Sequence, residues 1–179
     1  MLIPELRHEL LQLARFTLNE SFVPTGADFI KSNHPELMAH RGVFVTLKRD
    51  GQLRGCIGSL ISDKSIYDGI QDMARNAAFS DPRFNPVSAV EWPFLKIEIS
   101  VLSEMIPVST MSEIQIGRDG LLLRKNGRSG VLLPKVAVEW GWAREEFVAQ
   151  LFQKAGLPGT SWQAGELFRF EADEFGENE

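Results

Sequence analysis

The sequence predicts an α+β fold, a mainly antiparallel sheet with flanking helices, and three observations carry that expectation. Strand-like runs come in pairs joined by short turn signals, as hairpins do. Helical stripes lie between them, with apolar residues recurring every three or four positions. No repeated strand–helix alternation of the kind that builds a parallel sheet occurs.

The elements follow in chain order. Leu6, Leu10, Leu13, Thr17 and Leu18 share one helical face, while Arg7, Glu9 and Arg15 fall elsewhere. That helix ends before Pro24-Thr25-Gly26, and residues 24–41 read as a surface crossing with one helical turn. Gly42–Lys48 is a strand, Asp50-Gly51 a type I′ hairpin signal, and Gln52–Leu60 the returning strand. Ser62-Asp63 offers an N-cap to a second helix, whose inner stripe is Ile66, Ile70, Met73, Ala74 and Ala77. It must finish before Asp81-Pro82, because proline disfavours helical geometry in the residue before it. Three prolines and two aromatics within 81–93 suggest an ordered loop.

Leu95, Ile97, Ile99 and Val101 then alternate with Lys96, Glu98 and Ser100 in a strand that Pro107 closes. Short strands follow over Ile114–Leu133, with Asp119-Gly120 and Asn126-Gly127 as turns. Pro134 suits the first turn of a helix that Gly141 bends or breaks. Phe147, Val148, Leu151 and Phe152 mark an amphipathic helix ending at Gly156. A last strand spans 167–171, and the tail 173–179 is expected to be disordered. The 179 residues suit a single domain, 1–179, with a division into lobes allowed around 102–113.

Composition narrows the function. The chain holds 19 basic and 24 acidic residues, a net charge of -5, which disfavours a general nucleic-acid binder. One cysteine, Cys56, allows no internal disulfide and points to a reducing cytoplasm. The start, Met1-Leu2-Ile3-Pro4-Glu5, lacks a signal-peptide pattern, and no apolar run approaches the ~20 residues of a membrane span. Oligomeric state is left open, self-association included.

Leu53-Arg54-Gly55-Cys56-Ile57-Gly58 has most to explain. Glycines inside a strand mark a bulge or a backbone that something approaches closely. Alternation places Arg54, Cys56 and Gly58 on one face, where a guanidinium beside a thiol favours the nucleophilic thiolate. The competing reading is a buried cysteine acting as a small hydrophobe. Asp81 and Arg83 form either a turn or a carboxylate–guanidinium pair that orients a polar substrate. Glu98 and Ser100 face water, or else meet Arg54 as acid and hydroxyl partners. Trp140 and Trp142 near Arg144 read as core plugs, with a stacking surface for a base as the alternative. No His-Glu-x-x-His or Cys-x-x-Cys site occurs, nor any phosphate-binding glycine loop or Gly-x-Ser-x-Gly elbow, so neither metal nor cofactor is expected.

The hexapeptide, with Gly42-Val43-Phe44-Val45-Thr46-Leu47 before it, resembles the signature of the AMMECR family. Asp81-Pro82-Arg83-Phe84, Glu98-Ile99-Ser100-Val101-Leu102-Ser103 and Gly117-Arg118-Asp119-Gly120-Leu121 continue the resemblance, as do Leu133-Pro134-Lys135-Val136-Ala137 and Lys154-Ala155-Gly156-Leu157. Together these blocks cover roughly 42–162, with one departure, Lys135 in place of an expected glutamine. The resemblance implies a larger and a smaller lobe around a cleft, and no established reaction. It also implies partners, a Memo-like protein and a radical-SAM enzyme, as in the AmmeMemoRadiSam system.

The leading expectation is therefore an accessory or substrate-binding component built around Thr46, Arg54, Gly55, Cys56, Gly58, Asp81 and Arg83. The alternative is an enzyme with Cys56 as thiolate nucleophile, assisted by Arg54, with His40 or Glu98 as proton acceptor. A nucleic-acid factor using the Trp140–Arg144 region comes third.

Overall fold

In the computed structural model, which describes residues 1–159 and 165–177, the chain divides into two units. The first is Met1–Leu102 with Asp173–Glu179, the second Ser103–Ala172.

The first unit is built on a four-stranded sheet. Strands β1 (Val43–Arg49) and β2 (Gln52–Ser59) form an antiparallel hairpin, and β3 (Leu95–Leu102) pairs antiparallel with the other edge of β1. Asp50 and Gly51 both have positive φ (51° and 77°), as the expected turn requires. Helices α1 (Pro4–Phe22) and α2 (Ile66–Phe79) pack against the sheet. The α1 stripe Leu6, Leu10, Leu13, Thr17 and Leu18 is buried as its spacing predicts, against Val43, Val45, Leu47, Ile97 and Ile99.

Two expectations shift here. The α2 N-cap is Ser65, whose hydroxyl accepts from Asp68 N–H at 3.1 Å, and not Ser62-Asp63. Ser65 bridges to His40 and Ile66 N–H donates to Ala39 O, so the entering chain is held extended to that point. The tail is also ordered further than expected. Ala172–Gly176 forms strand β8, giving the order β2-β1-β3-β8. Buried Asp173 accepts from Leu2 N–H at 2.6 Å and pairs with Arg7, while Glu177 accepts from Ile97 N–H and pairs with Arg15. These partners lie more than 70 residues away, beyond any local pattern. Asn178 and Glu179 lie outside the described residues, as do 160–162 at the end of the AMMECR-like blocks.

The second unit has strands β4 (Ile106–Pro107), β5 (Gly120–Lys125), β6 (Arg128–Leu132) and β7 (Glu166–Phe170), in the order β4-β7-β5-β6. Helices α3 (Pro134–Glu139) and α4 (Arg144–Lys154) add Ala137, Phe147, Val148, Leu151 and Phe152 to its core. Asn126-Gly127 makes the expected turn, with φ of 49° and 76°. Pro107 lies in β4 and does not close β3. Asp119-Gly120 is not a turn: Gly120 opens β5, where a Cβ would stand 2.5 Å from the Phe170 ring, and the positive φ falls on Gly117. Among the described residues, no helix is long and apolar enough to cross a membrane.

Candidate functional site

Strand β2 lies at a sheet edge, so every second residue turns main-chain polar groups away from β1. Cys56, opposite Thr46, is one of these. Both of its orphan groups are satisfied by the loop after α2: Cys56 N–H donates to Asp81 Oδ2 at 2.9 Å, and Arg83 Nη2 donates to Cys56 O at 3.2 Å. The same carboxylate accepts from Arg83 N–H, Nε and Nη2 at 3.1, 3.0 and 2.7 Å. Asp81 is thus more than a turn former. Its side chain, 1% exposed, ties the loop to the strand edge, whereas Arg83 is 53% exposed.

Electrostatics follow from that clamp. The Arg83 guanidinium holds the Asp81 carboxyl far below the usual carboxylate range, and the N–H groups of Cys56 and Arg83 add to this against the opposing effect of burial. Asp81 in turn raises the Arg83 pKa, with the Cys56 sulfur a smaller contributor. A guanidinium does accompany the thiol, but it is Arg83.

Arg54 turns elsewhere. The β1–β2 register slips between Leu47 and Lys48: Leu47 faces Gly55, Lys48 faces Leu53, and Arg54 is the extra residue of a bulge. Strict alternation, the basis for pairing it with Cys56, fails at that position. Its Nε and Nη2 grip Glu91 at 2.6 and 3.0 Å, Nη2 also reaches Asn85 O at 3.0 Å, and the group lies over the Phe84 ring. Arg54 accordingly holds the Glu91 carboxyl below its ordinary pKa. Glu91, 37 residues along the chain, left no sequence signal.

Thr46 sits beside the sulfur. Paired Thr46 and Cys56 exchange no main-chain bonds, the closer kind of antiparallel pair, and Thr46 Oγ1 donates to Cys56 Sγ at 3.2 Å. Glu98 faces Thr46 from β3, two strand spacings (about 10 Å) from Cys56, and pairs with Lys48 at 2.5 Å. His40 is exposed at its bridge to Ser65. Neither of the two expected proton acceptors hydrogen-bonds to the sulfur, whose partner is Thr46.

The glycines have internal reasons. A Cβ on Gly55 would stand 2.2 Å from Ala77 O in α2, and one on Gly58 would stand 2.2 Å from the Phe44 ring. The close approach is made by a helix and a neighbouring aromatic of this chain. Cys56 itself is half-buried. In the second unit Trp140 and Trp142 stack at 5.9 Å; Trp140 is 70% exposed and so is not a core plug. Arg144 Nε donates to Ile114 O. Among the described residues no three His, Cys, Asp or Glu gather closely enough to hold a metal ion.

Comparison with known proteins places these residues in a wider series. The AMMECR1 family model matches residues 11–175. A protein of Thermococcus onnurineus is 41% identical over 182 residues, covering 94% of this chain and 88% of its own. A protein of Methanothermobacter thermautotrophicus is 37% identical over 178 residues, covering 94% and 93%. The crystal structure of an uncharacterised protein from Pyrococcus horikoshii matches with a TM-score of 0.83 at 38% identity, over 97% of this chain and 92% of that one.

Proposed function

Because the chain belongs to the AMMECR1 family, we propose that it is an accessory, binding component that works beside a Memo-like protein and a radical-SAM enzyme in the cytoplasm. Its contact surface is the exposed Arg83 guanidinium with the Cys56 thiol and Thr46 hydroxyl. One observation carries this reading: the buried Asp81 is spent on fixing Arg83 and the Cys56 main chain, so the guanidinium is held facing outward beside a sulfur whose hydrogen-bond neighbour is the Thr46 hydroxyl and not a base. A prearranged guanidinium suits recognition of a carboxylate or phosphate on a partner or its substrate.

The test is capture of Memo-like and radical-SAM proteins from the same organism on the immobilised full chain, under reducing and oxidising conditions. Retention of either partner, weakened about tenfold by Arg83→Glu and unchanged by Arg124→Glu, is expected for a charged contact at this patch. No association under either redox condition overturns the reading.

Arg83 beside the half-buried sulfur favours a second reading, Cys56 as a nucleophile. Its test is the alkylation rate of Cys56 against pH. A thiol that is inert in the folded chain, or that titrates above about 8.5, removes it.

A further inference from the structure

Beside α1, at the margin of the core, lies a cavity of about 800 Å³ whose lining includes no residue of the Cys56 patch. Helix spacing makes its floor: Arg7, His8, Leu11 and Arg15 recur at three- and four-residue intervals on one face. Phe29, from the crossing after α1, forms one wall and packs on Phe16 with ring centroids 5.5 Å apart. The crossing is tied down where Ser32 N–H donates to Glu9 at 2.7 Å. The other wall is Phe175 and Glu177 at the end of β8, held by Arg15 and by Ile97 N–H. The volume falls in the range of about 300–1,000 Å³ usual for small-molecule pockets, and the mixture of apolar walls with a few fixed polar groups is what such sites use.

The lining charges are unequal. Arg7 and Arg15 stand eight residues apart, about 12 Å along the helix, and both line the space. Of their carboxylate partners only Glu177 lines it; Asp173, 7% exposed at its side chain, is packed behind Arg7. The lining itself thus holds two guanidiniums and one carboxylate, with Asp173 balancing Arg7 from behind the wall and His8 at the rim. Each guanidinium is braced, Arg7 by Asp173 and Arg15 by Glu177, Leu95 O and the Trp92 ring at 4.1 Å. Such braced guanidiniums meet an anion without further loss of side-chain freedom.

We propose that this cavity binds a small aromatic carboxylate, its ring against Phe29, Phe16 and Leu11 and its carboxylate toward Arg7 and His8. The site is independent of the partner-binding reading above.

The probe is 1-pyrenebutyrate, titrated by fluorescence into the full chain, with neutral 1-pyrenebutanol as the matched control. Saturable one-to-one binding is expected, with the acid at least about tenfold tighter than the alcohol, the worth of one charge-assisted contact. Leu11→Trp, which puts a bulky ring where the ligand's ring would lie, should weaken binding of both probes at least about tenfold, and His8→Asp should weaken the acid several-fold while leaving the alcohol unchanged. Arg83→Ala should leave both unchanged. Thermal melting of each variant, read alongside, confirms that it is folded; if Leu11→Trp fails to fold, the exposed His8→Asp carries the test. Absence of saturable binding overturns the proposal, as does equal affinity for acid and alcohol, or binding indifferent to His8→Asp in a folded variant.

Discussion

Asp81 in the first unit and Asp119 in the second are both buried aspartates that accept a main-chain N–H and a flanking arginine. Asp81 takes Cys56 N–H and Arg83; Asp119, 0% exposed, takes Gln115 N–H at 2.8 Å and Arg118 at 2.7 Å. The arginines then diverge. Arg83 continues to Cys56 O, beside a sulfur, whereas Arg118 continues to Glu113 O and to a second carboxylate, Glu171. A buried carboxylate with an attached guanidinium is thus a way of fastening a loop. It becomes a candidate site only where the fastening also fixes a reactive or recognisable group at the surface.

The largest expected effects come from removing the two carboxylates. Arg83 and Arg118 are 53% and 39% exposed, so the ion pairs themselves contribute no more than about 1 kcal/mol. The greater cost is the main-chain N–H left without an acceptor, about 1–3 kcal/mol each. Asp81→Ala should cost about 3 kcal/mol, because Cys56 and Arg83 both lose their acceptor, and Asp119→Ala about 2 kcal/mol, because Gln115 alone does. Urea unfolding measures both. A loss under about 1 kcal/mol at Asp81 would break the comparison.

Acid should sharpen it. The Asp81 carboxyl is held below its unfolded value of about 3.9, so the folded chain binds fewer protons there than the unfolded one. The stabilisation is complete above about pH 5 and is lost progressively as pH falls below it. Urea midpoints of the natural chain and Asp81→Asn should therefore differ at pH 6 and converge toward pH 2. Parallel curves would mean that Asp81 is not the group being titrated.

The two sequence-prominent arginines differ in the same way. Arg54 and Glu91 are 17% and 15% exposed, so Arg54→Met leaves a mostly buried carboxylate with only the longer Arg49 contact at 3.6 Å and should cost about 2 kcal/mol. Arg83→Met likewise leaves a carboxylate, Asp81 at 1% exposure, without its guanidinium and should cost about 2 kcal/mol, but it should also slow alkylation of Cys56 by iodoacetamide at least about threefold, since Arg83 is the guanidinium that reaches Cys56. Arg54→Met should leave that rate within about twofold, because its guanidinium is spent on Glu91. The reverse ranking would restore Arg54 as the residue that acts on the sulfur.

How far these assignments could be read from the sequence depends on the range of the contacts involved. The α1 stripe, the Asp50-Gly51 and Asn126-Gly127 turns and the alternation of β3 are set within a few residues, and each was legible. Thr46, Cys56, Asp81 and Arg83 were singled out as residues and do come together. The choice between Arg54 and Arg83 was not legible, because one bulged residue ends the period-two rule and only the register reveals it. Of the two readings open for glycines inside a strand, a bulge or a close approach, Gly55 and Gly58 fit close approach, but Ala77 and Phe44, which make it, are brought in by tertiary packing. Asp173 and Glu177 were hidden for the same reason: a polar strand is held by arginines more than 160 residues away.

The smallest effect separates Thr46 from Glu98, the two polar neighbours that the sheet lines up with Cys56. Sulfur is a weak acceptor, so loss of the Thr46 hydroxyl in Thr46→Val should cost about 0.5 kcal/mol, within the lower range for one hydrogen bond. The same substitution removes the donor that touches Sγ and should change the alkylation rate by about twofold. Glu98→Gln should leave the rate unaltered, since its carboxylate pairs with Lys48 and stands a further strand away. If Glu98→Gln instead slows alkylation more than Thr46→Val, a proton path runs across β1 from sulfur to carboxylate through the Thr46 hydroxyl. The row of three residues would then be a working unit of the nucleophile reading and not a passive edge of the binding surface.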